Sequence, residues 1–269
     1  MKKMILSVIS LFVAGNLAAQ EASTAVEQVP IEEYVPKVII EGKWGTGPGE
    51  FGLISDPMQA EYFGVSQEPN SLVVNSKGEI FVLDHVNNRI QKFTPKGEFL
   101  KALAIPGCAD EKGGSVVEIE RYSSGVSFNL ETQPVFIGIN IVIDSKDNLY
   151  YYLKRVKDGK ETGEVWEFRN DKLVKKTVVP VTKALSYGVG LDLDREDDSL
   201  WIPDVDKNQQ GKHYQFRTGK ILGTDDVRAQ KAAFRASEAG KKAVARPKPK
   251  YYLDIETSSN GIRVIEKLN

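Results

Sequence analysis

The chain has 269 residues, with 36 Lys or Arg and 37 Asp or Glu, so its formal net charge is −1. This balance argues against a protein built mainly to bind nucleic acid, which needs an excess of basic side chains. The chain has one cysteine, Cys108, which excludes an internal disulfide. The fold must therefore be stabilised by its apolar core.

The N-terminus has the three parts of an export signal. Lys2 and Lys3 precede an apolar run that ends near Ala14, and small residues then lead to Ala19. The run is shorter than the roughly 20 apolar residues that a membrane-spanning helix needs. We predict cleavage near Ala19, a linker over residues 20–33, and a periplasmic or extracellular protein without a transmembrane segment after signal removal. An uncleaved anchor is the alternative.

Residues 71–100 have the pattern of a four-stranded meander. Short apolar runs at residues 72–74 and 80–83 flank a Lys-Gly turn, and Ile90 and Phe93 alternate with polar residues. A further turn precedes apolar residues 99–100. The segment therefore predicts four short strands joined by tight turns.

This pattern recurs along the chain. Residues 141–153 overlay residues 72–84, a third copy spans residues 190–222, and a weaker copy spans residues 251–265. A large side chain occupies one equivalent position on the third strand of each copy, where we expect it to fill the gap between stacked sheets. These side chains are Phe93, Phe168, Phe216 and Ile265.

Two motifs resemble NHL repeats: GTGPGEF at residues 45–51, and Asp84 followed by NNRIQKF at residues 87–93. The resemblance implies an all-β fold, a β-propeller of four-stranded antiparallel blades, usually six in this family. Four copies are visible here, so either the propeller is incomplete or residues 102–137 contain a degenerate blade. We assign residues 34–269 to the propeller and expect a strand at residues 34–41 to complete the last blade.

Asp84, Asn88 and Arg89 form the most specific motif of the repeat. An Arg side chain can fork to a carboxylate or to backbone carbonyls, and Asn tolerates the left-handed conformation of a tight turn. We interpret the trio as a structural clamp. The alternative is that Arg89 faces a ligand.

Residues 227–250 differ in composition from the repeats and predict an inserted helix or a flexible loop. Basic residues recur at helical spacing on one face of this insertion. They predict either a solvated face or a contact for an anionic glycan, lipid headgroup or acidic protein. These residues are Arg228, Lys231, Arg235 and Lys242.

The sequence shows no catalytic set and predicts no cofactor. His85 and His213 are too few for a His-rich zinc site, and Asp192, Asp194, Asp197 and Asp198 are more typical of a turn than of a calcium loop, although Ca²⁺ stays open. We therefore expect an exported binding scaffold for a protein, peptide or glycan. The alternative is a metal-dependent lyase or lactonase of propeller type, with its site in the central channel.

Overall fold

The structure, a computed structural model, describes residues 36–53, 68–105, 135–157, 160–179, 190–205, 211–244 and 251–268. These residues form four antiparallel sheets and two α-helices. The predicted signal, the linker, Cys108 and most of the segment in which a degenerate blade was considered lie outside the described residues.

Three of the sheets are four-stranded meanders, which we call blades I to III. Blade I consists of β2 (Leu72–Val74), β3 (Ile80–Asp84), β4 (Arg89–Phe93) and β5 (Phe99–Ala104). Blade II consists of β6 (Val135–Ile143), β7 (Leu149–Lys157), β8 (Lys160–Arg169) and β9 (Lys172–Val179). Blade III consists of β10 (Asp192–Asp194), β11 (Ser199–Val205), β12 (Gly211–Gln215) and β13 (Lys220–Gly223).

Blade IV joins the first and last strands of the described chain. It contains β14 (Tyr251–Ser258), β15 (Gly261–Leu268) and β1 (Lys37–Lys43), in that order across the sheet. β1 pairs antiparallel with β15, and Val38 lies opposite Ile265. This is the pairing that the sequence predicted for a lone strand ahead of the first repeat.

The first two strands of blades I, II and III are joined by similar turns. The side-chain oxygen of Asn75 accepts hydrogen bonds from the N–H groups two and four residues later, and Asp144 does the same. Asp194 accepts from the N–H two residues later. Short polar side chains favour such turns because they replace a missing backbone partner. We call the end of the blades where these turns lie the top face, and the opposite end the bottom face.

The second strand of a blade is buried on both sides. In β3, Phe81 and Leu83 pack against blade II, whereas Ile80 and Val82 pack against blade IV. The side chains of β7 alternate in the same way between blades I and III. Full burial of one such side chain contributes about 1.5–3 kcal/mol. The blades therefore stack in the order IV, I, II, III, which confirms the all-β, propeller-type prediction.

Blades IV and I approach each other too closely for a side chain at Gly97. This residue lies in the turn between β4 and β5 with φ of +86°. A Cβ atom there would lie 1.8 Å from the carbonyl oxygen of Ile39 in β1. Both the backbone conformation and the contact therefore require glycine.

Two helices connect blade III to blade IV. α1 (Thr224–Ala236) packs on β12 and β13, and α2 (Glu238–Val244) follows it. Within the described segments, none of the helices has the length and apolarity needed to cross a membrane.

An ion-pair cluster links blades I and II beside the turn between β8 and β9. The Asp171 carboxylate lies 3.1 Å from the Lys92 ammonium and 2.6 Å from that of Lys101, and Lys92 also pairs with Glu79 at 2.8 Å. Burial would raise the pKa of Asp171, but hydrogen bonds from Lys101 and Lys92 outweigh it and leave this pKa below its usual value. Asp171 thus binds protons less readily in the folded chain than in the unfolded chain.

The variant Asp171→Asn tests this link, because asparagine tolerates the left-handed backbone of Asp171, whose φ is +60°. The stabilisation from Asp171 is complete above its unfolded pKa and is lost as the pH falls through the lower folded pKa. We expect the variant to lower the free energy of unfolding by about 1 kcal/mol at pH 7. Its stability should also decline less than that of the wild type between pH 7 and pH 3, measured by urea unfolding.

The control is Asp225→Asn, because the Asp225 side chain is 96% exposed. Its stability curve should coincide with that of the wild type. Equal losses of stability with acid in Asp171→Asn and in the wild type would contradict the role of this cluster.

Candidate functional site

A cavity of about 660 Å³ lies at the top face, where all four blades meet. Its volume falls in the range typical of small-ligand sites. Aliphatic side chains from each blade form its walls, and the turns of blades I, II and III form its rim. The wall residues include Leu72 and Val74 of blade I, Ile143 of blade II, Leu193 of blade III and Leu253 of blade IV.

Aspartates of the top turns fix the rim of the cavity. Asp147 of blade II accepts hydrogen bonds from the backbone N–H of Ser76 at 2.8 Å and from its hydroxyl at 2.6 Å. Asp198 of blade III binds the N–H and hydroxyl of Ser145 in the same way. Both aspartates have φ near +60°, the position that glycine holds in blade I. Each turn therefore clamps the preceding one, and the rim is held in place by side chains.

A buried carboxylate lies beneath the rim. Asp144, whose side chain is fully buried, accepts hydrogen bonds from Tyr150 at 3.2 Å and from Arg217 at 3.1 Å. Burial would raise the pKa of Asp144, but hydrogen bonds from Asn148, Lys146 and Tyr150 keep it below its usual value. Burial raises the pKa of Tyr150 to about 12. Around neutral pH the pair therefore consists of a carboxylate and a protonated phenol.

The Asp84 and Arg89 side chains lie at the bottom face, away from the cavity turns. Arg89 Nε donates to Asp84 at 2.8 Å, and its two terminal nitrogens donate to the carbonyl oxygens of Thr46, Gly47 and Glu50 at 2.6–2.9 Å. Both terminal nitrogens of the guanidinium thus hold the loop that follows β1, while Nε binds Asp84 of β3. The clamp interpretation of Arg89 stays a prediction, and these contacts are its motivation.

Two further side chains complete this clamp, and the sequence analysis did not single them out. Gln91 donates to the Glu50 carbonyl at 2.6 Å and accepts from the Gly49 N–H at 3.0 Å. Asn87 donates to the carbonyl of Gly45 at 2.8 Å. Both lie within the same short motif as Arg89, and this is the feature from which the sequence could have identified them. Asn88 itself contributes its left-handed backbone, with φ of 55°.

The three predicted phenylalanines lie between blades. Phe93 is buried between blades I and IV, and Phe168 is buried between blades I and II. Phe216 follows directly after β12, is partly buried between blades II and III, and meets the Tyr150 ring edge-on at 6.2 Å. Each ring therefore fills a gap between neighbouring sheets.

The basic residues of the insertion lie mostly against carboxylates of this chain. Lys231 pairs with Asp194 at 2.7 Å, and Arg235 binds both carboxylate oxygens of Glu196 at 2.7 and 2.8 Å. Arg228 pairs with Asp225 within α1, and Lys242 lies on α2. An anionic ligand would have to displace Asp194 and Glu196. The predicted anionic contact stays a prediction.

The histidines and the acidic cluster occupy separate places. His85 lies in the 3₁₀ turn after β3, while His213 lies in β12 beside the ring of Trp201. Burial first, and then Lys231, lowers the pKa of His213. Asp197 and Asp198 make hydrogen bonds within and beside their turn. Nowhere in the described ranges do three His, Cys, Asp or Glu side chains converge as metal ligands.

The variant Arg89→Lys tests the bottom clamp. Lysine keeps a positive charge near Asp84, but its single ammonium nitrogen has three donors and cannot reproduce the four contacts that Arg89 makes from three nitrogen atoms. We expect the free energy of unfolding to fall by about 2 kcal/mol, measured by urea unfolding. Arg263→Lys is the control, because Arg263 pairs with Glu41 at an exposed site, and it should change stability by less than about 0.5 kcal/mol. An equally small effect at Arg89 would contradict the clamp.

Comparison with known proteins supports the repeat over one segment. Residues 67–93, which include the Asp84 and Arg89 motif, match the family model described as the NHL repeat. No curated protein matches the chain.

The chain is also similar to solved structures. A structural genomics protein of unknown function from Bacteroides thetaiotaomicron VPI-5482 has 11% identity and a TM-score of 0.35 over 70% of this chain and 36% of its own. A virginiamycin B lyase from Staphylococcus aureus has 12% identity and a TM-score of 0.29 over 58% of this chain and 54% of its own. The aligned region thus spans about a third to a half of each structure. Residues 67–93 form an NHL repeat, within an all-β fold of propeller type.

Proposed function

We propose that this chain is an exported binding scaffold whose ligand site is the top-face cavity. One observation carries the proposal: all four blades contribute walls to a single cavity of about 660 Å³. Apolar walls supply binding energy through burial, and polar groups on the rim orient a ligand. The ligand classes that fit are a protein segment, a peptide or a glycan.

The rim supports this function because its side chains are held in position before a ligand binds. Asp147 and Asp198 are fixed by hydrogen bonds from the preceding turns, so little side-chain freedom is lost when a ligand binds. Arg195, which is exposed, adds a cation beside these carboxylates. The rim can therefore offer both acceptors and donors to a polar ligand.

The variant Val74→Trp tests the cavity, because Val74 is 39% exposed and lines the cavity at the end of β2. An indole there takes up part of the cavity and obstructs it. Ligands would first be selected with the mature chain from a glycan array and a displayed peptide library. We expect the variant to bind the selected ligands at least about tenfold more weakly by calorimetry.

The matched control is Val174→Trp on β9, where Val174 is 51% exposed and distant in sequence from the cavity turns. It should bind like the wild type. Selected ligands that bind Val74→Trp as tightly as the wild type would contradict the cavity as the site.

Export rests on the basic start and apolar run of the N-terminus. When the full chain is expressed in a bacterial host with an outer membrane, we expect the protein in the periplasm or the medium, beginning at Gln20 by mass spectrometry. Leu11→Arg should retain it in the cytoplasm because it interrupts the apolar run, whereas Val26→Arg should not. A chain that stays in the cytoplasm would contradict export, and an exported chain that keeps Met1 would contradict cleavage near Ala19.

A further inference from the structure

Blade IV lacks an innermost strand among the described residues. In blades I, II and III the first strand runs from the bottom face to the top turns, and the second strand returns to the bottom. Near its start β14 places Tyr252 and Leu253 beside the cavity, and it ends at Ser258, whose carbonyl accepts from the Trp44 indole at the bottom. β14 therefore has the direction of a second strand. β15 and β1 then correspond to the third and fourth strands.

Helix α1 takes the place along the chain where the first strand of blade IV would occur. Its start is near the bottom, where Thr224 donates to the Gly211 carbonyl at the beginning of β12. Its end is near the top, where Arg235 binds Glu196 in the turn between β10 and β11. The chain therefore runs from the bottom face to the top face as a helix packed on blade III. No described strand pairs with the inner edge of β14.

A groove of about 400 Å³ runs along this edge. Leu253, Ile255 and Thr257 form one wall, and residues 68–72 form the other. Leu72 and Leu253 line both the groove and the top-face cavity, so the two lie side by side. Near the bottom face the Thr257 hydroxyl donates to the Glu68 carboxylate at 3.5 Å, which links the two walls of the groove.

Side chains beside the groove are less covered than their counterparts in other blades. Leu253 and Ile255 are only partly buried, whereas Phe81 and Leu83 of blade I are at most 3% exposed. The N–H of Ile255 donates to the carboxylate of Asp254, the preceding residue, at 2.9 Å. An unpaired strand edge is a template for another strand.

We propose that the inner edge of β14 binds an extended segment of a partner protein by strand addition, antiparallel to β14. The added strand completes blade IV and ends at the cavity. This inference deepens the proposed function, on which it rests, by naming a peptide as the ligand of the site. Backbone hydrogen bonds provide the affinity in such complexes, and pockets for alternate side chains provide specificity.

The charges that line the groove and the cavity define the chemistry of the partner segment. The carboxylates of Asp144, Asp147, Asp198 and Glu266 line the cavity and those of Glu68 and Asp254 line the groove, against one lining cation, Arg195. The segment therefore has apolar side chains at alternate positions, which cover Leu253 and Ile255, and a basic residue at its C-terminal end. A strand antiparallel to β14 runs from bottom to top and brings that end to the acidic rim.

The probe is a fluorescent hexapeptide amide, Val-Thr-Val-Thr-Val-Lys, measured by polarisation against the mature chain. Its control carries N-methyl groups on the valines that pair with β14, which removes donors without changing the side chains. We expect the control to bind at least about tenfold more weakly. A second control with Glu in place of Lys should weaken binding by a similar factor. Equal binding of the methylated peptide would overturn the proposal.

Two protein variants locate the binding edge. Ile255→Pro removes the N–H at the centre of the edge and should weaken binding at least about tenfold. Its control is Val174→Pro, because Val174 lies at a bulge of β9 and has no partner in the β8–β9 register. Glu266→Lys should also weaken binding, because Glu266 lines the cavity that receives the basic end of the segment. Glu238→Lys, with an 84% exposed side chain, should not. Unchanged binding in both Ile255→Pro and Glu266→Lys would overturn the proposal, even if Ile255→Pro folds poorly.

Two further measurements would show that the inner edge of β14 has a different occupant. If the amides of Leu253 and Ile255 exchange as slowly as those of β3 in the free protein, a segment of this chain already pairs there, and the proposal is wrong. If the chain forms dimers that Ile255→Pro abolishes, a second copy is the occupant, and the proposal is again wrong. The proposed function fails separately, when no selected ligand is sensitive to Val74→Trp.

Discussion

Contact between neighbouring sheets is the interaction on which every blade depends. β3 and β7 place apolar side chains on both faces, so an isolated meander would leave one set in water. Burial is not directional, however, and it does not by itself fix how one sheet sits against the next. The polar clamps at the two ends fix how one sheet sits against the next. They are the Ser76–Asp147 and Ser145–Asp198 links at the top and the Arg89 fork at the bottom.

The sequence predicted the parts of the fold that depend on local chemistry. Turn residues and alternating apolar residues located the strands of blades I to III, because a tight turn needs particular side chains. The pairing of β1 with β15 could be predicted for a different reason: a strand ahead of the first repeat needs a partner, and the last copy lacked a strand. The third-strand aromatics followed from the repeat spacing.

Contacts between distant segments were harder to predict, because one partner is a backbone group or lies far along the chain. Arg89 is visible in the sequence, but its partners are three backbone carbonyls in a loop about 40 residues earlier. Helical spacing likewise identified Lys231 and Arg235 as one face of a helix, but it did not show that this face packs on Asp194 and Glu196. The basic insertion and the acidic turn, which looked like two features in the sequence, contact each other in the fold.

Replacing a strand by a helix has consequences at two places. Because α1 packs on blade III, the side of the cavity next to blade IV is formed by Tyr252 and Leu253, which belong to a second strand rather than to a first. Among the described strands none pairs with the inner edge of β14, and Leu72 and Leu253 line both the groove beside that edge and the cavity. The groove and the cavity therefore lie side by side, where α1 takes the place of a first strand. A ligand of the proposed kind that occupies both would gain backbone pairing along β14 and burial between four blades, which neither provides alone.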